Sequence, residues 1–223
     1  MYSKRVMAFC LALVLSIAVV NFSSIRETIN WHRQDALAAA AWNGDISTVK
    51  LLLYAGADVN LCVGGRGCPI HSAVWNGHVE VVRFLLDKGA NVNRKWKLGS
   101  TPLMVAAANG QTEIAKLLLT RGADVNPRDD FGTALEAASE QGHNEIVKLL
   151  LANGAGTNGN DERALRRAIL NNHADAARLL LAHGVNLDRS GDDIKNDIPS
   201  VLQIAVEQGN SEIVDLLKKA GAK

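Results

Sequence analysis

The sequence predicts an all-α solenoid of six helical hairpins preceded by an N-terminal apolar helix, and three observations carry that expectation. The segment Leu51-Leu52-Leu53-Tyr54-Ala55-Gly56-Ala57-Asp58-Val59-Asn60 recurs at 84–93 and 117–126, and more loosely at 149–158 and 179–187. A second stretch, Thr101-Pro102-Leu103-Met104, is echoed by Cys68-Pro69-Ile70-His71 and Thr133-Ala134-Leu135-Glu136. With Thr101 as phase marker, repeats begin at Asp35, Cys68, Thr101, Thr133, Arg163 and Ser200, at intervals of 33, 33, 32, 30 and 37 residues. Such a period marks a stack of supersecondary units that each bury a face against a neighbour. Composition agrees. Aromatic residues make up only 4% of the chain, which favours helices packed on small side chains over one large core.

In chain order, the first 22 residues stand apart. Lys4 and Arg5 precede an apolar run, Val6 to Val20, broken only by Ser16. Fifteen helical residues rise roughly 22 Å, less than the ~30 Å hydrocarbon core. The basic start, the short run and the triplet Ser16-Ile17-Ala18 fit a secretory signal peptide. Uncleaved, the run extends to Phe22 as a signal anchor. The run has no polar face, which speaks against a buried core helix. With Lys4 and Arg5 held inside, either reading puts the repeats across the membrane from the cytosol. A bacterial envelope protein, periplasmic or anchored to the inner membrane, is the simplest expectation. Residues 23–34 follow as a linker or capping helix, since Ser24-Ile25-Arg26-Glu27 matches a capping box. A cap over the first repeat and a flexible tether both remain open.

Within 35–223 each repeat reads the same way. Thr at an N-cap with Pro at the first helical position starts a short helix. That helix stops about nine residues later at Gly44, Gly77, Gly110, Gly142 and Gly209. A longer amphipathic helix follows, as in Val81, Val82, Leu85 or Ile114, Leu117, Leu118, and a second glycine closes it. The Asp-Val-Asn stretch then makes a polar turn into the next repeat.

Thr101-Pro102-Leu103, Ala106-Ala107, Gly77-His78-x-Glu80-Val81-Val82 and Gly122-Ala123-Asp124-Val125-Asn126 resemble the consensus of the ankyrin repeat, over about 189 of 223 residues. The resemblance implies antiparallel helix pairs in layers, short β-hairpin fingers at one edge, and a concave face that holds a protein partner. Repeat one departs at its opening, Asp35-Ala36-Leu37-Ala38, as suits a terminal cap. Repeat five carries Arg163, Arg166 and Arg167 near its start, with Asn172 in place of the turn glycine. Asn is the residue that best tolerates left-handed backbone after Gly.

The chain has no Walker loop, no Gly-x-Ser-x-Gly and no His-Glu-x-x-His. Five of the six histidines fall on repeat positions: the resemblance implies that His71 braces a loop, and His78, His143 and His173 follow turn residues. Asp188 to Asp193 lacks the spacing and the closing Glu of a calcium loop. Cys62 and Cys68 could close a short disulfide loop in an oxidising compartment or stand as two thiols; further metal ligands are missing. No metal, cofactor or enzymatic activity is expected.

Charge nearly cancels, 24 basic against 23 acidic side chains, which excludes a basic nucleic-acid footprint. Membrane contact is expected only through residues 6–22, if they are retained. The resemblance implies that the two residues before each turn glycine face the groove: Trp42 and Asn43, Trp75 and Asn76, Ala108 and Asn109, Glu140 and Gln141. Arg94, Lys95, Trp96 and Lys97 lie in one finger and Phe131 in the next. Exposed Trp beside Arg is the composition of a binding hot spot. The expected contact strip therefore runs through Trp42, Trp75 and Trp96, with Asn109, Phe131 and an acidic Glu140 further along. Some exported relatives restrain a toxin or support an envelope enzyme, so an inhibitor-like or enzyme-supporting role is one concrete version. A membrane-anchored structural scaffold is the alternative.

Overall fold

The computed structural model describes residue 27 and residues 30–63, 67–156, 161–185, 187 and 200–222. The expected apolar helix at 1–22, the capping box at 24–27 apart from Glu27, and the acidic loop 188–199 lie outside the described residues. No helix among the described residues is long and apolar enough to cross a membrane.

Among the described residues, twelve α-helices pair into six antiparallel hairpins. They are α1 (30–43) with α2 (Ile46–Tyr54), α3 (Pro69–Trp75) with α4 (Val79–Asp87), and α5 (Pro102–Ala108) with α6 (Thr112–Thr120). Then come α7 (Ala134–Glu140) with α8 (Asn144–Ala152), α9 (Asp161–Leu170) with α10 (Ala174–His183), and α11 (Val201–Glu207) with α12 (Ser211–Lys219). The odd-numbered helices form an inner layer and the even-numbered ones an outer layer.

Local chemistry sets the boundaries. The hydroxyls of Thr101 and Thr133 accept from the main-chain N–H three residues on, at 3.4 and 3.2 Å, and Pro69 and Pro102 fill the first turn of their helices. Ser200 and Gln203 form a reciprocal capping box. The inner helices end in left-handed turns at Gly44, Gly77, Gly110, Gly142 and Gly209, and Asn172 adopts the same conformation at φ 63°. The first hairpin differs from expectation, because α1 runs through residue 35 without a break. Residues 36–41 are Ala-Leu-Ala-Ala-Ala-Ala, and neither Pro nor Gly stands between 30 and 43 to stop the helix.

One apolar core threads all six hairpins. Ala41, Ala73, Ala106, Ala138, Ala168 and Ala205 let the inner helices approach closely, while Val49, Val82, Leu85, Leu118, Leu150 and Leu180 fill the space beneath the outer ones. Each hairpin touches its neighbours, and stability adds along the array.

The fingers correct the expectation of β-hairpins. Among the described residues there is no strand, only isolated antiparallel bridges at Val63–Gly67 and Trp96–Ser100. Numbered by the hairpin each one precedes, the second finger is 58–67, the third 91–100 and the fourth 124–132; in the third, Leu98 (φ 59°) and Gly99 (φ 87°) reverse the chain at once, leaving room for a single bridge. Side chains take over the pairing. Asn60 donates to Gly89 O (3.0 Å) and accepts from Asn91 N (2.7 Å). Asn93 does the same with Gly122 O (3.3 Å) and Asp124 N (2.8 Å), and Asn126 with Gly154 O (3.1 Å) and Gly156 N (3.2 Å). Each asparagine thus staples its finger to the next hairpin.

Candidate partner-binding groove

The groove begins where the inner helices end. Trp42, Asn43, Trp75, Asn76 and Asn109 sit at or just beyond those ends and are exposed, Trp75 by 53% and Trp42 by 39%. Their main chain is fixed from the next repeat. His78 donates from Nε2 to Trp42 O (2.9 Å), Gln111 to Trp75 O (3.3 Å), and His143 to Ala108 O (3.3 Å). A carbonyl can only accept, so Nε2 carries the proton in both histidines.

Above this row the third and fourth fingers enclose a cleft of about 430 Å³. Its floor is Met104, Val105, Ala108 and Ala137, and its walls are Trp75, Trp96, Leu98 and Phe131. Leu98 and Phe131 are 55% and 66% exposed, large apolar side chains left in water at a concave surface. Lys97 stands on the rim with Nζ 4.9 Å from the Trp96 ring centroid, and it makes no ion pair among the described residues.

The structure therefore brings Trp75, Trp96, Lys97, Phe131 and Glu140 together. Trp42, one repeat away, is not among the residues that line this cleft. Asn76 turns back onto its own helix, donating to Ser72 O at 3.3 Å. Arg94 turns towards the second finger, with Nε 3.3 Å from Cys62 Sγ. Lys95, Asn43 and Asn109 are exposed but do not line the cleft.

The sequence does not mark Arg167 as a groove residue. It reaches from α9 to pair with Glu140, contacts Glu136 Oε2 with its Nε at 3.2 Å, and donates to the Phe131 carbonyl. Glu136 is 1% exposed, and its other oxygen accepts from Arg128 at 2.6 Å. The acidic end expected at Glu140 is thus neutralised, and Arg167 shapes the rim in its place. The signal was present in the sequence as arginines near the start of repeat five, but their direction was not.

Two buried features support the cleft wall. His71 donates from Nε2 to Ser100 O at 3.1 Å, with its ring 5.9 Å from that of Trp96. Burial, reinforced by the charge of Arg94 and opposed by the Ser100 carbonyl, pushes the His71 pKa down to about 4. The imidazole is neutral and acts as a brace. Cys62 and Cys68 are joined in a disulfide. Gly67, next to Cys68, packs against Trp96 so tightly that a Cβ there would lie 2.7 Å from the indole.

Comparison with known proteins agrees with this architecture. The family model described as "Ankyrin repeats (3 copies)" matches residues 13–96, 37–129 and 135–223. The crystal structure of the human ASB11 ankyrin repeat domain is 30% identical with a TM-score of 0.71, covering 84% of each chain. That of an ankyrin repeat domain from Acinetobacter baumannii AYE is 32% identical with a TM-score of 0.72, covering 84% of this chain and 98% of the other. Comparison with curated protein sequences gave no match. The repeat period, the paired helices and these matches together place the chain in the ankyrin-repeat family.

Proposed function

We propose that this chain is a non-enzymatic protein-binding module, displayed outside the cytosol, that takes an apolar anchor of its partner into the cleft between the third and fourth fingers. Ankyrin repeats are protein–protein interaction modules. The observation that carries the reading is the concave cluster of Trp75, Trp96, Leu98 and Phe131 over an apolar floor. Aromatic side chains in a pocket, ringed by polar groups that exclude water, are where binding energy concentrates. Lys97 favours an acidic group beside the anchor, while the neutralised Arg167–Glu140 pair sets the shape of the opposite rim. Display outside the cytosol is supported by Lys4 and Arg5 ahead of Val6 to Val20, and by a cysteine pair placed to form a disulfide.

The test is affinity capture from envelope extract with the full chain and two variants, Trp75→Ala/Phe131→Ala and Trp42→Ala. The cleft variant should lose at least about tenfold in recovery of a partner that the unaltered chain retains, with Trp42→Ala changing it less. Unchanged recovery by the cleft variant, with an unchanged circular dichroism spectrum, would sink the assignment.

A further inference from the structure

The N-terminal end of the stack carries a surface that the groove does not use. One register position of the outer helices is filled by Phe84, Leu117, Leu149, Leu179 and Leu216, all buried or half-buried. Leu51 holds that position in the first hairpin and is 68% exposed, because no hairpin precedes it among the described residues. Tyr54, three residues on, is 73% exposed, and Trp31 on α1 is 55% exposed. The start of α1 and the end of α2 meet, since Arg33 Nη1 lies 3.6 Å from where a Cβ of Gly56 would be. Lys88 Nζ sits 5.0 Å from the Tyr54 ring and 5.5 Å from Phe84, and Lys50 Nζ is 5.5 Å from Phe84. Neither lysine makes an ion pair among the described residues. Glu27 and Asp58, close in sequence to Trp31 and Tyr54, are exposed as well.

Exposed Trp and Tyr with cations beside them are the composition of a membrane–water interface, where the rings sit at headgroup level and the cations meet anionic lipid. The preceding sequence says which surface is near. The run Val6 to Val20 is apolar on every side, so lying along the stack it would leave as much apolar surface wet as it covered. Phe22 is eight residues from Asn30 of α1, a reach of at most about 29 Å extended or about 12 Å as helix. A tether that short makes even a weak contact effective.

We propose that this end of the first hairpin, presenting Trp31, Arg33, Lys50, Leu51, Tyr54 and Lys88, rests on the anionic headgroup surface of the bilayer that holds residues 6–22. The proposal rests on the display reading above, with the apolar run retained, and is independent of what the groove binds.

The test uses the full chain in vesicles of brominated phosphatidylcholine with about one third phosphatidylglycerol, a fraction chosen to set an anionic surface. Bromine should quench part of the tryptophan emission, and Trp31→Phe should remove most of that quenchable part. Lys50→Glu with Lys88→Glu should lower the quenching by at least about twofold, as should omission of the anionic lipid. Extraction with alkaline carbonate reports separately on the run. Release of the chain overturns retention of the run, and the proposal with it, and leaves display through a cleaved signal peptide standing. Retention without quenching of Trp31 overturns the proposal alone, as does concentration-dependent cross-linking through Tyr54 without quenching, which would assign the face to a second copy.

Discussion

The ring of His143 occupies the space that a side chain at Gly110 would need: a Cβ there would lie 2.7 Å from His143 Cε1, and Gly110 itself sits at φ 70°. The same ring bonds the Ala108 carbonyl, so the turn, the groove row and the next hairpin are fixed by one contact. Gly110→Ala should therefore cost about 2–3 kcal/mol, combining left-handed backbone with displacement of the imidazole. Gly122→Ala, at φ 83° with nothing within 4 Å of its Cβ position, carries the backbone cost alone, about 1 kcal/mol. Urea unfolding of the two variants checks the difference, and equal losses would show that the ring simply moves aside.

His71 makes stability depend on pH in a defined direction. Its Nε2–H is used by Ser100 O, and its Nδ1 is buried without a partner, so a second proton would create a charged N–H with no acceptor. The folded pKa of about 4 lies below the ordinary 6.5, so the unfolded chain takes up the proton first. The stabilisation is fully present above pH 6.5 and is lost as pH falls towards 4, by about 3 kcal/mol. Unfolding midpoints at pH 7, 5.5 and 4 read this out (His71→Gln should flatten that part of the profile at a lower baseline).

Glu136 is a buried carboxylate held by two arginines from different parts of the array. Arg128→Met or Arg167→Met alone should cost roughly 1–2 kcal/mol, because the other guanidinium remains. Both together should cost roughly 3–5 kcal/mol, more than the sum of the two, since the buried charge is then uncompensated. Adding Glu136→Gln to the double variant should recover at least about half of that loss. A strictly additive cycle would mean that water reaches Glu136.

The loop between Cys62 and Cys68 spans seven residues, so the chain-entropy model assigns its closure about 2 kcal/mol. Reduction should lower Tm by roughly 4–8 °C for a chain of this size. Cys62→Ser/Cys68→Ser should match the reduced protein, and acrylamide should then quench Trp96 more strongly, because Gly67 is no longer held against the indole.

The repeats were legible because their punctuation recurs at a fixed period: Thr or Ser caps three inner helices, Pro opens two, and glycine or Asn172 closes each of them. What the sequence concealed is whatever passes between repeats. Asn60, Asn93 and Asn126 look like ordinary turn residues, and only the stacked neighbour makes them staples. Trp42 and Trp75 hold equivalent positions one repeat apart, yet only Trp75 lies beneath fingers that carry Trp96, Leu98 and Phe131. Arg167 reaches Glu140 and Phe131 across 27 and 36 residues, a direction that periodicity does not encode. The β-hairpin fingers failed for a local reason, the immediate reversal at Leu98 and Gly99.

The carbonyl locks of the groove row have a consequence for how the chain assembles. His78 to Trp42 and Gln111 to Trp75 each span 36 residues, and His143 to Ala108 spans 35. Loop-closure entropy grows only with the logarithm of span, so these locks all close at nearly the same cost, and none must wait for a distant partner. Folding can therefore start at any hairpin and advance one repeat at a time in either direction, as a zipper does.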